Sequence, residues 1–243
     1  YLGVQRYPEP LSGPDGRGPA SGRTHLLLAR YLAQKGAQQQ SLLELRLAAT
    51  YDPNLTTAVA NTALAWTQRY EDLVRAVPEG ELGVSALTLL TRATRDRPAL
   101  RERLLAELAA RDPKRLSSLY EWCEFFLQQL ENPKAEYCGA ERRDECLAQA
   151  ERILKDVEKG AVKDQQAVLL RARLLVRQGE GARALALLGE RCQTLPAAGR
   201  LRCLQQRLDL SFASGDTTDF LAAVKAFFAD SCADTTQCAQ SLE

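Results

Sequence analysis

From Gly22 onward, apolar residues recur at intervals of three and four, the spacing that gathers them on one face of an α-helix. The strict alternation of a half-buried strand is not seen. Two stretches carry this pattern with the same punctuation. In the first, Leu28, Ala29 and Leu32 lead to Gly36, then Ser41, Leu45, Ala48 and Asp52-Pro53. In the second, Ala172 and Leu175 lead to Gly179, then Ala184, Leu188 and Pro196. Small residues stand where two helices must approach closely, glycine falls at the turn, and proline fits the first turn of the next helix. Such self-similarity predicts stacked helical hairpins. A third copy follows in phase, since Gly215 lies 36 residues after Gly179. There Leu204, Leu208 and Ser211 precede the turn, and Phe220, Val224 and Phe227 follow it.

The pattern predicts about eleven helices, near 22–35, 38–51, 54–69, 80–95, 98–111, 113–131, 141–159, 162–178, 180–193, 198–214 and 217–230. Asp52-Pro53 and Asp112-Pro113 read as helix starts, and Asn132-Pro133 as a stop followed by a loop. Residues 1–21, with four prolines and four glycines before Gly22, read as a flexible tail. Residues 22–243 read as one helical-repeat domain, repeat-like at 22–55, 165–198 and 201–234 and degenerate across 56–160.

These hairpins resemble the tetratricopeptide (TPR) family, whose paired antiparallel helices repeat about every 34 residues. The departures are His25 where the family often has Trp, Leu208 where a small residue is usual, and Arg191 where Ala is frequent. The resemblance implies an all-α, right-handed solenoid whose groove, lined by the first helix of each pair, binds peptides or protein segments. Partner-binding positions would then fall on the first helices of the better repeats, at Arg30, Gln34, Arg173 and Arg177.

Composition narrows the classes. The 243 residues carry a net charge of +1, which offers no global footprint for nucleic acid or an anionic membrane. No apolar run approaches the roughly 20 residues of a bilayer span. Met is absent, position 1 included, so a processed or cut N-terminus is expected, and any export signal or lipid-bearing end would have preceded the residues seen. The final Leu-Glu reads as a cloning scar.

Seven cysteines form three close pairs and a remainder: Cys138 with Cys146, Cys192 with Cys203, Cys232 with Cys238, and Cys123 alone. Each pair spans a loop, where two chain segments can meet at disulfide distance. Three such staples point to an oxidising compartment, periplasmic or extracellular. Buried free thiols and a zinc site are the alternatives. No Cys-x-x-Cys spacing exists and only one His could join, so no metal site is expected. Cys123, within Tyr120-Glu121-Trp122-Cys123-Glu124-Phe125-Phe126, reads as an inert core thiol.

Catalytic patterns are thin. His25 is the only histidine and stands among leucines, where packing is the simpler role. Phosphate-binding glycine loops are absent. Carboxylate pairs such as Glu102 with Glu107 and Asp144 with Glu145 alternate with Arg and Lys, as on a solvated helix face. The run Arg92, Arg95, Arg97, Arg101, Arg103 reads the same way. Trp66 and Tyr70 read as neighbours on one helix face, packed between helices, and Tyr120, Trp122, Phe125 and Phe126 as core. Asn54 fits a glycosylation triplet, but a helix start is the plainer reading. No cofactor, nucleic acid or catalysis is expected. The sequence thus points to a non-enzymatic scaffold or adaptor, exported and disulfide-stapled, of the kind a cell-envelope assembly system or a lipid-anchored envelope protein would use. The alternatives are a helical accessory domain of a cell-wall enzyme such as a lytic transglycosylase, and a cytoplasmic TPR adaptor.

Overall fold

The computed structural model describes residues 21–113, 115–160, 164–215 and 217–231. The expected tail, up to residue 20, and the Cys232–Cys238 pair lie outside the described residues. Among them are twelve α-helices and no strand. The chain divides between Arg115 and Leu116 into two compact units, and each contains six of these helices.

Unit 1 pairs α1 (Ser21–Gln34) with α2 (Gln38–Tyr51) and α5 (Gly80–Ala93) with α6 (Pro98–Arg111); between them α3 (Thr56–Trp66) packs against α2 and α5, and the short α4 (Tyr70–Arg75) against α2 and α6. The first turn is closed by Gly36 at φ +77°, a conformation that glycine adopts without steric cost. Ala37 N–H then bonds back to Leu32 O at 2.9 Å. Gly22 faces Asp52 Cβ and the Ala48 carbonyl so closely that a methyl group there would overlap both, which is why the α1–α2 contact requires small residues. Ala29, Leu42, Leu45, Ala48 and Ala49 are fully buried in that seam.

After α2, the Asp52 side chain accepts from Asn54 N–H at 3.1 Å and caps a 3-10 turn at Pro53–Leu55, as the Asp-Pro pair predicts. The helix expected over 54–69 is instead that turn plus α3. Thr67, extended at φ −148°, ends α3, and a short α4 follows. Trp66 and Tyr70 therefore lie on different helices rather than on one face. The break is held by Asp72, 3% exposed, whose carboxylate accepts from Thr67 Oγ1 at 3.2 Å and from Gln39 Nε2 of α2 at 3.1 Å. Tyr70 reaches α6, where its hydroxyl donates to Glu107 Oε2 at 2.9 Å and Arg103 sits 4.0 Å above its ring. Burial, then Glu107, pushes the Tyr70 hydroxyl up to about 12.

Unit 2 pairs α7 (Leu116–Glu131) with α8 (Arg143–Gly160), α9 (Gln165–Arg177) with α10 (Gly181–Arg191), and α11 (Ala197–Ser214) with α12 (Thr217–Ser231). The α7 start expected at Pro113 moves to Leu116, because Asp112 caps the C-terminus of α6, its N–H bonded to Leu108 O. The stop at Asn132-Pro133 holds, with Asn132 Oδ1 accepting from Lys134 N–H at 3.0 Å. The loop that follows is stapled by Cys138–Cys146, with Cα atoms 6.0 Å apart. Cys192–Cys203, Cα atoms 5.4 Å apart, ties the end of α10 to α11. Each closes a short loop and contributes about 2–3 kcal/mol on the loop-entropy model. Gly179 and Gly215, at φ +84° and +72°, close the last two hairpins.

Candidate binding cleft

The first helices of the unit 2 hairpins, α7, α9 and α11, line an open cleft of about 540 Å³. Asp164 caps α9, its side chain accepting from Gln166 N–H at 2.7 Å, and so fixes Gln165 and Gln166 at the cleft mouth. One turn further along come Leu169 and Leu170, then Arg173. The facing helix α11 presents Arg202, Gln205, Gln206 and Asp209. Gln206 Nε2 donates to Leu169 O at 3.3 Å, a side-chain link between the two walls. Arg202, Gln205 and Asp209 are exposed at i, i+3 and i+7, which aligns them along one stripe of α11.

Arg173 anchors the α7 wall. Its Nε and Nη2 donate to the two oxygens of Glu131 at 2.8 and 2.7 Å, and Nη1 donates to Glu124 Oε2 at 2.6 Å. Burial works against the guanidinium charge, but these two carboxylates hold it protonated above its ordinary range. Two residues away on the same helix, Arg171 makes the matching set toward α8, with Glu158 at 2.8 and 2.7 Å and Glu151 at 2.6 Å. Positions i and i+2 point to different sides of a helix, so α9 is clamped to both members of the preceding hairpin. Burial opposes the ionisation of Glu151, yet the Arg171 hydrogen bond and charge outweigh it and leave the carboxyl below its usual range.

The four residues expected from the sequence fall in different units. Arg30 and Gln34 are exposed on α1 of unit 1. Arg173 lines the unit 2 cleft with its charge already matched, and Arg177, outside the lining, lies 4.0 Å from Glu131 and offers its carbonyl to Arg143 Nη2 at 3.1 Å. The carboxamides Gln165, Gln166, Gln205 and Gln206 went unnoticed in the sequence, although the exposed stripe on α11 is legible there. His25 is a packing residue, its Nδ1 bonded to Glu44 Oε2 at 2.6 Å and its ring stacked on Tyr51 at 5.2 Å. Cys123 is a buried free thiol, pushed up to about 12 chiefly by burial. Phe125 and Phe126 are buried in an edge-on pair, and burial, followed by the Asp164 carboxylate, raises the Tyr120 hydroxyl to about 12. Glu107 and Glu145 are ion-paired with Arg111 and Arg142, as expected for helix faces.

The sequence matches no family model and no curated protein. Solved structures are more informative. A point variant of the nearly identical TPR-like repeats from a Podosopora anserina kinesin light chain superposes with a TM-score of 0.50 at 17% identity, over 88% of this chain and 96% of that one. The chain has a TPR-like repeat fold. The parent of those repeats gives 0.48 at 16% identity, over 86% and 93%. A thermophilic TPR protein of Thermus thermophilus gives 0.49 at 19% identity, over 90% and 96%.

Proposed function

We propose that this protein is a non-enzymatic scaffold that holds a segment of another polypeptide in the unit 2 cleft, and that it works in an exported, oxidising compartment. The observation that carries the reading is the row of carboxamides on facing walls, Gln165 and Gln166 on α9 with Gln205 and Gln206 on α11. A carboxamide offers one carbonyl acceptor and an NH₂ donor, the same pair that a peptide group presents. Among the described residues the lining holds no aromatic side chain on which a sugar ring could stack, which favours a polypeptide over the glycan of a cell-wall enzyme accessory domain. Two disulfides support the oxidising compartment over a cytoplasmic adaptor.

The test is site-specific photo-crosslinking in the source cells, with benzoylphenylalanine replacing Gln166 or Gln205. Exposed Arg152 and Lys155 on α8 serve as controls. A polypeptide adduct of discrete mass at the cleft positions and none at the α8 positions is the expected result. Equal labelling at both sets, or none at the cleft, would overturn the reading.

A further inference from the structure

Between α2 and α3 the chain turns through Asp52-Pro53-Asn54-Leu55-Thr56, where the sequence leaves Asn54 two roles, the start of a helix or the acceptor of an Asn-x-Thr triplet. The structure gives the helix start to other groups. The Asp52 carboxylate accepts from the Asn54 N–H at 3.1 Å, and Thr56 Oγ1 donates to the Pro53 carbonyl at 2.7 Å, so the backbone of Asn54 is used and its side chain is not. The Asn54 carboxamide is exposed and has no hydrogen-bond partner among the described residues. Tyr51 and Pro53 beside it are exposed as well, while Thr56 is buried, so the turn points its asparagine to solvent. The other two asparagines of the chain lack the triplet, since Asn61 is followed by Thr62-Ala63 and Asn132 by Pro133-Lys134.

We propose that Asn54 is an N-glycosylation site, the acceptor of an oligosaccharide delivered on a polyprenyl diphosphate. The proposal rests on the exported compartment argued above. In the transfer, Asn54 Nδ2 forms a bond to the anomeric carbon of the first sugar, and the bond from that carbon to the diphosphate oxygen breaks. The polyprenyl diphosphate departs, Nδ2 gives up one proton to the transferase, and nothing is oxidised or reduced. Thr56 is 7% exposed and its hydroxyl is spent inside the turn, so the transferase reads the triplet before α2 and α3 pack, during export. Once the turn has formed, the sugar stays in solvent and displaces no buried contact, because the side chain that carries it makes none.

Mass spectrometry of the chain isolated from its source cells tests this. Trypsin cutting after Arg46 and Arg69 releases residues 47–69, which contain Asn54 and Asn61, and fragmentation that retains the sugar assigns it to one of them. The expected result is an oligosaccharide on Asn54 in most of the population, lost in Asn54→Gln and kept in Thr56→Ser, which preserves the hydroxyl. Circular dichroism establishes that both variants keep their helices. An unmodified 47–69 peptide, or an adduct that persists in Asn54→Gln, would overturn the proposal. Alkylation of the unfolded, unreduced chain separates the two ways of failing. An unmodified Asn54 with Cys138, Cys146, Cys192 and Cys203 protected overturns this site alone, whereas an unmodified Asn54 with all four alkylated overturns the exported compartment as well.

Discussion

Replacing Arg173 with Met should destabilise unit 2 more than the loss of one surface ion pair would. Arg173, Glu124 and Glu131 are 27%, 30% and 29% exposed, so solvent screens them only in part. Two charge pairs at about 4 Å are worth ~4 kcal/mol each at an effective dielectric constant of 20. Most of that is offset by desolvation, which leaves a net loss of about 2 kcal/mol, chiefly from two partly buried carboxylates left without Arg173, of which only Glu131 keeps a cation nearby, Arg177 at 4.0 Å. For a unit of this size the melting temperature should fall by roughly 6–10 °C. The chain has two tryptophans, Trp66 in unit 1 and Trp122 on α7 in unit 2, so a Trp66→Phe background makes fluorescence report on unit 2 alone. In urea titrations, Arg173→Met should lower the midpoint at constant slope. The variant Arg173→Met/Glu124→Gln/Glu131→Gln should recover at least half of the loss, because the stranded charges are gone. A triple variant as unstable as the sum of its parts, or an Arg173→Met midpoint equal to the parent, would refute the reasoning.

Other outcomes follow from the same structure. A methyl group at Gly83 would overlap the Pro78 carbonyl, which already accepts from Arg111 Nη1 at 2.7 Å, so Gly83→Ala should lower unit 1 stability by about 1–3 kcal/mol, read from Trp66 fluorescence in urea. Because Glu107 and Glu151 titrate below the ordinary glutamate value of 4.5, the stability they contribute is present above that value and drains away as pH falls through their lower folded values. Thermal melts below about pH 4.5 should therefore decline less steeply in Glu151→Gln than in the parent. Cys123, with its thiol pushed up to about 12 and fully buried, should resist iodoacetamide at pH 8 in the native chain and react once urea unfolds it.

The hairpin turns at the two ends were legible because local chemistry wrote them. Gly36, Gly179 and Gly215 each sit at positive φ at a hairpin turn, and the 138–146 and 192–203 cysteine pairs flank their loops as the spacing suggested. The middle was obscured by one short helix and one long stapled loop. Helix α4 has six residues, too short to show a helical period, and its place depends on Asp72 meeting Gln39 across 33 positions of sequence. Between α7 and α8, a loop stapled by Cys138–Cys146 separates the two helices by more than a tight turn. The cleft was half legible. Arg173 was picked out by its place on a first helix, but its engagement by Glu131 and Glu124, 42 and 49 positions away, comes only from packing. The glutamines carried no such signal, since their meeting in one cleft follows from α9 and α11 facing each other.

The central claim is that the unit 2 cleft holds a polypeptide, and calorimetric titration of the photo-crosslinked segment, synthesised as a peptide, tests it most directly. Saturable one-to-one binding to the parent chain, weakened at least about tenfold by Gln205→Arg/Asp209→Arg while the melting temperature stays the same, is the result predicted. Equal affinity for the parent and that variant would contradict the account.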